Sequence, residues 1–249
     1  MIDTHAHLFL CHLPTEQLIQ NAIANGLTGI INVALDIPTA MQALEVHRQF
    51  PIAYPTIGLY PSCCEKPYDL AVLKQLASQH PFKAIGEIGL DQYHKFGTPD
   101  SQMTLFSEQL KIADELNLPV IVHNRLTDQE MHKVFSEFRT IRKVFHCFSS
   151  SYDFAQTQLE LCEDTYFSFT GLITLSQGKE MHDIIKKLPL NRIMLETDCP
   201  YLTPLRFKGE KNQPAYVGEV ASEIATILGL TRDEIVDITT QNTIRFFNL

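Results

Sequence analysis

The chain holds 249 residues, 45% of them hydrophobic and 20% charged, a composition that supports a sizeable buried core and excludes bulk disorder. Lys and Arg number 20 against 29 Asp and Glu, and the resulting formal charge of −9 argues against broad, sequence-independent wrapping of nucleic acid. No apolar run approaches the ~20 residues needed to span a bilayer, and no basic segment leads into a long apolar one at the N-terminus, so the expectation is a cytoplasmic protein without membrane partners.

Short β-rich runs alternate with segments of helical period along the chain. Strands are expected near Ile2–His5, Gly29–Ala34, Tyr54–Leu59, Ala84–Ile88, Val120–His123, Val144–Phe148, Tyr166–Thr170 and Ile193–Thr197. Several are nearly continuous apolar runs, as in a parallel sheet covered on both faces. Between them lie amphipathic stretches. The one from Asp100 to Asn117 sets Phe106, Leu110 and Ala113 on one face, and Pro119 marks its end. After the last strand comes a loop with Pro200, Pro204, Gly209 and Pro214. A helix follows with Val217, Val220, Ala221, Ile224 and Leu228 as its stripe, stopping at Gly229, and Thr231 with Glu234 forms a capping box for a final helix.

This alternation, in a chain close to the ~250 residues typical of the architecture, predicts a (β/α)8 TIM-type barrel with additional C-terminal helices, in one domain over residues 1–249. An open doubly wound sheet is the alternative. It is disfavoured because no glycine-rich phosphate turn follows the first strand. Six cysteines (Cys11, Cys63, Cys64, Cys147, Cys162, Cys199) form no C-x-x-C pair, so neither a zinc knuckle nor a disulfide framework is indicated.

In such a barrel the chemistry sits at the C-terminal ends of the strands. Those ends carry His5 and His7, Glu87 in GEIGLD, His123 in VIVHNR, His146 in VFHCFS, and Glu196 and Asp198 in LETDCP. The other six of the ten histidines (His12, His47, His80, His94, His132, His182) fall in expected helices or loops. Residues two apart on a strand share a face, so His5/His7, His123/Arg125 and Glu196/Asp198 could each aim into one mouth. Taken singly, each strand-end acid reads as a cap or an ion pair, and each histidine as a hydrogen-bonded core residue. Taken together, imidazole nitrogen with carboxylate oxygen is a ligand set for Zn²⁺, Mn²⁺ or Mg²⁺, and four histidines with two acids exceed what one open catalytic ion requires. Two divalent ions are expected.

The stretches DTHAHL, GEIGLD, LPVIVHNR, FHCFSS, FTGLIT, LETDCPYLTP, NQPAYV and TTQNTIRFF, running from Asp3 to Phe247, resemble the TatD family of metal-dependent hydrolases within the amidohydrolase-like barrels. The resemblance implies His5, His7 and Asp198 on one ion, His123 and His146 on the other, and Glu87 shared. It also implies phosphodiester hydrolysis, commonly as a 3′-to-5′ deoxyribonuclease, with Asp198 and Glu87 at the centre of catalysis and DNA or another phosphoester bound locally at the metals. Asp91, Arg125 and Glu196 then read as groups that orient ligands or substrate. The sequence departs from the family pattern at three places. Tyr60 in GLYP stands where the family usually has histidine. The basic loop FKGEKN offers only Lys208 and Lys211 to bind phosphate, without the bidentate fork of arginine. Ser150 replaces a glycine. These departures keep open a second chemistry on the same site, hydrolysis of a non-nucleic-acid ester or a C–N bond, and beyond it a non-catalytic metal-binding module. No obligatory protein partner is indicated.

Overall fold

A computed structural model describes all residues from Met1 to Leu249. Eight parallel strands, β1 (Ile2–Ala6), β2 (Gly29–Asn32), β3 (Ala53–Pro55), β4 (Ile85–Asp91), β5 (Val120–Arg125), β6 (Lys143–Phe145), β7 (Thr165–Phe169) and β8 (Ile193–Leu195), follow one another in chain order. The helices are α1 (Thr15–Ala24), α2 (Ile37–Gln49), α3 (Leu70–Gln79), α4 (Pro99–Leu116), α5 (Asp128–Glu137), α6 (Tyr152–Leu161), α7 (Glu180–Lys187), α8 (Val217–Leu228) and α9 (Arg232–Phe247). The result is the expected α/β barrel, with α9 as an added C-terminal helix.

Continuous ladders join β1–β3 and β4–β8, and two short seams close the ring. One pairs Ala6 with Cys199, where His7 N donates to Cys199 O at 2.9 Å and Asp198 N to His5 O at 2.9 Å. The other pairs Ile57 with Ile85, reinforced by Thr56 Oγ1 donating to Gly86 O at 2.6 Å. Here the third strand is shorter than the expected Tyr54–Leu59. The backbones of Gly58 and Gly86 approach so closely that a Cβ on Gly58 would sit 2.8 Å from the Gly86 carbonyl carbon. The sixth and eighth strands also stop early, before Cys147 and Asp198, which take left-handed backbone (φ 45° and 53°) and turn the chain across the barrel mouth.

Two cores result. The larger lies between strands and helices and contains Phe106, Leu110, Val220 and Ile224 from the predicted apolar stripes. The smaller fills the barrel: Ile121, Val144, Tyr166 and Met194 point inward, and Phe246 and Phe247 of α9 close the lower end. Two residues further along three of these strands, on the same inward face, come His123, His146 and Glu196. The periodicity that packs the barrel therefore also aims the polar groups at its upper rim. Helix ends follow their sequence signals. Thr98 and Ser101 form a capping box on α4, which ends at Asn117; Gly229 (φ 68°) ends α8, and Thr231 with Glu234 caps α9.

Candidate metal centre

β1 delivers both of its histidines to the rim. Asp3, fully buried below them, accepts from Thr197 N at 2.9 Å and Thr197 Oγ1 at 2.6 Å, and so ties β1 to the segment carrying Asp198. Burial pushes the Asp3 carboxyl up to about 8, against the lowering effect of the bonds from Thr197. His5 Nε2 and His7 Nε2 lie 3.2 Å apart. Glu87 Oε2 is 3.4 Å and 3.6 Å from these two nitrogens, and Asp198 Oδ1 is 3.8 Å and 3.5 Å from them. The other oxygen of Glu87 faces the opposite way: Oε1 lies 2.9 Å from His123 Nδ1 and 2.8 Å from His146 Nε2, which are 3.2 Å from each other. One carboxylate thus stands between two imidazole pairs.

The protons decide what such a cluster can hold. His7 Nδ1 lies 2.9 Å from Val33 O, and a carbonyl only accepts, so Nδ1 carries the hydrogen and neutral His7 turns a bare Nε2 towards the carboxylates. His123 is held the same way, with Nε2 donating to Asp91 Oδ2 at 3.0 Å and Nδ1 left bare. The lone pairs of His7 Nε2 and His123 Nδ1 therefore face carboxylate oxygens across gaps of 2.9–3.6 Å, an arrangement that calls for a cation. Donors at ~2.0–2.2 Å around a tetrahedral ion are separated by about 3.3–3.6 Å, and those at ~2.1 Å on adjacent octahedral positions by about 3.0 Å. Both groups of donors fit that size. In the absence of a metal, protons take part of that role: burial opposes a charged His7, His123 or His146, but Asp198, Asp91, Glu87 and Glu196 outweigh it and raise all three above ordinary imidazole. Glu87 and Asp198 are held below the usual carboxylate range because the surrounding histidines outweigh the burial that would raise them.

The cluster forms one wall of a cavity of about 380 Å³ also lined by Leu35, Tyr60, His94, Phe96 and Tyr201. Tyr60 places its hydroxyl 3.3 Å from His123 Nε2, and burial followed by the nearby carboxylates Glu87, Asp91 and Asp198 pushes its ionisation far above that of an ordinary phenol. Other expected substrate-binding residues are not brought to the cavity. Arg125 ends β5 exposed and lies over the Tyr93 ring at 5.1 Å, in an adjoining groove with Asn124 and Ser150. Same-face spacing fails there because the strand ends and the chain turns at Leu126 (φ 60°). Glu196 is fully buried beneath the cavity, accepting from Cys147 N at 2.6 Å and from Ser168 Oγ, so it braces the His146 turn. Asp91 is buried as well and acts through His123 and His94. Lys208 and Lys211 project from the exposed loop, and no lysine or arginine lines the cavity. Ser150 donates to Asp128 Oδ1 at 2.7 Å and accepts from Asn124 Nδ2 at 3.2 Å, which gives the hydroxyl a structural use. The residue that sequence reasoning left out is His94, assigned to a loop because no strand-end position marked it.

A barrel that gathers bare imidazole nitrogens and carboxylates at its C-terminal rim defines a metal-dependent hydrolase. Residues 2–248 match the family described as TatD related DNase, and the chain belongs to that family. The uncharacterized metal-dependent hydrolase YabD of Bacillus subtilis is 35% identical over 100% of this chain and 99% of its own length. A protein of Erwinia tasmaniensis named 3′-5′ ssDNA/RNA exonuclease TatD is 29% identical over 94% and 93%. Among solved structures, the TatD homologue YjjV of Escherichia coli superposes with a TM-score of 0.90 at 30% identity, covering 100% of this chain and 98% of that one. The E. coli phosphotriesterase homology protein, at 17% identity and TM-score 0.70, shares the fold. No helix is long and apolar enough to cross a membrane.

Proposed function

We propose that the protein hydrolyses phosphodiester bonds at nucleic-acid ends, acting as a 3′-to-5′ deoxyribonuclease with two divalent cations at the rim. The observation that carries the reading is the double-facing Glu87, with one oxygen towards His5 and His7 and the other towards His123 and His146. His5, His7 and Asp198 would hold one ion, His123 and His146 the other, and Glu87 both. Bound there, Zn²⁺, Mn²⁺ or Mg²⁺ would supply Lewis acidity, lowering the pKa of water towards ~7 and neutralising charge on the phosphoryl group.

The chain's own residues do the rest. Asp198, which reaches the cavity, accepts the proton of the attacking water. Asp91 fixes His123 in the tautomer with Nδ1 bare, and the Val33 carbonyl does the same for His7. Tyr60 offers a neutral hydroxyl to a phosphoryl oxygen, without the positive charge of a histidine. The test uses single-stranded DNA labelled at either end with Mn²⁺ or Mg²⁺. The expected result is stepwise loss from the 3′ end, abolished by EDTA and by His123→Ala or Asp198→Asn; activity indifferent to all three would overturn the assignment.

A second reading keeps the site and changes the substrate to a non-nucleic-acid ester or amide. The absence of lysine and arginine from the cavity wall favours it, because a polyanionic strand gains no side-chain cation there. Metal-dependent turnover of such esters with DNA untouched would select it, and Tyr60→His would then fail to create nuclease activity.

A further inference from the structure

One imidazole in the cavity wall belongs to neither group of metal donors. His94 follows β4, and Asp91 holds it twice: the His94 backbone N–H donates to Asp91 Oδ1 at 2.8 Å, and its Nδ1 lies 2.7 Å from Asp91 Oδ2. A buried carboxylate only accepts, so Nδ1 carries the hydrogen and Nε2 is the working nitrogen. Nε2 has no protein partner, and the side chain is 53% exposed in a cavity it shares with Glu87, His123, His146 and Asp198. Phe96 stacks on the ring at 5.5 Å and Tyr93 meets it edge-on at 4.9 Å, so its plane is set by its neighbours. An imidazole oriented by a carboxylate through one nitrogen, with the other nitrogen free towards substrate, is the arrangement of a general acid or base.

Proton balance at the site leaves that place open. Hydrolysis of a phosphodiester places a proton on the oxygen that departs, whereas Asp198 and Glu87 are acceptors among the metal donors. Of the other cavity-lining groups, Leu35 and Phe96 have no proton to give, burial and the nearby carboxylates hold the Tyr60 phenol far from ionising, and Tyr201 has no carboxylate partner that would orient it as Asp91 orients His94.

We propose that His94 is a catalytic residue, the proton donor to the leaving oxygen; this rests on the phosphodiesterase reading above. The water oxygen bonds to phosphorus and its proton passes to Asp198. The bond from phosphorus to the leaving oxygen breaks, that oxygen keeps the electron pair and takes the proton from His94 Nε2, and it departs as an alcohol. Asp198 then gives its proton up to solvent, and neutral His94, its Nδ1–H still on Asp91, takes one back from it, so the site is restored. Nothing is oxidised or reduced.

The test compares leaving groups on the full-length, metal-reconstituted protein. A thymidine dinucleotide departs as an alcohol that needs the proton, whereas the p-nitrophenyl ester of thymidine 5′-phosphate departs as a stable anion that does not. For His94→Gln the expected loss in kcat is ~10²–10⁴-fold on the dinucleotide and less than about tenfold on the nitrophenyl ester. KM, metal content and melting temperature should stay close to wild type. Equal losses on both substrates, or none on the dinucleotide, would overturn the role of His94 while leaving the phosphodiesterase reading intact. A wild-type protein that hydrolyses neither ester with any metal would overturn both.

Discussion

Replacing Asp91 with asparagine should weaken one metal site and spare the other. Asp91 Oδ1 accepts from Tyr93 N at 2.9 Å and His94 N at 2.8 Å, and the asparagine carbonyl can keep both bonds, so the turn after β4 survives. Oδ2, which lies 3.0 Å from His123 Nε2 and 2.7 Å from His94 Nδ1, becomes an NH₂ group facing two N–H groups; exposed His94 can turn its ring to solvent, whereas enclosed His123 cannot. The conflict is relieved when His123 shifts its hydrogen to Nδ1, where Glu87 Oε1 at 2.9 Å accepts it. That shift removes the lone pair His123 would give a metal. Losing such an orienting partner costs ~10–100-fold in metal affinity, or about 1.4–2.7 kcal/mol. His5 and His7 lie on the far side of Glu87 and keep their partners. Calorimetric titration of the metal-free protein with Zn²⁺ or Mn²⁺ should therefore show one binding step weakened by that factor and the other nearly unchanged. Two steps of wild-type affinity, or equal weakening of both, would refute the tautomer argument.

Three further outcomes follow from the same geometry. Gly89 in β4 has φ 148°, and a Cβ there would sit 2.0 Å from the His123 carbonyl oxygen, so Gly89→Ala should cost about 3 kcal/mol or more in chemical denaturation and lower metal content; an unchanged midpoint would contradict it. Buried Lys143, with no hydrogen-bond partner for Nζ, has its pKa pushed down to about 8 by burial. Between about pH 8 and 10.5 the unfolded chain holds a proton the folded one lacks, so stability should rise with pH across that window by about 3 kcal/mol, and Lys143→Met should abolish the slope and raise the melting temperature at pH 7; a slope that survives the substitution would assign it elsewhere. Removing metal with EDTA should lower the melting temperature, because ions at a hundredfold excess over Kd contribute ~2.7 kcal/mol per site; identical melting with and without EDTA would show that the folded state holds no ion.

The barrel was legible because its strands are apolar runs separated by helices with explicit boundary signals, ends at Asn117 and Gly229 and a start at Thr231. The rim donors were legible for the same reason: inward alternation through Ile121/His123 and Val144/His146 carries from core to mouth. What failed was the same-face rule at the last strand position and beyond. Arg125, the last residue of β5, leaves the cavity for the groove beside it as the chain turns at Leu126, and Glu196 follows β8 but stays a layer below Asp198, because the turn at Asp198 lifts only that residue into the cavity. His94 was hidden because its place depends on a tertiary bond to Asp91 and on stacking against Phe96, and neither has a periodic signature.

The most direct measurement is the number of ions bound per chain, by elemental analysis of protein reconstituted and dialysed against trace metal, for wild type and Glu87→Gln. A carboxylate standing between two imidazole pairs predicts two ions in the wild type and fewer in the variant. One ion in the wild type, or two ions that persist in Glu87→Gln, would contradict it.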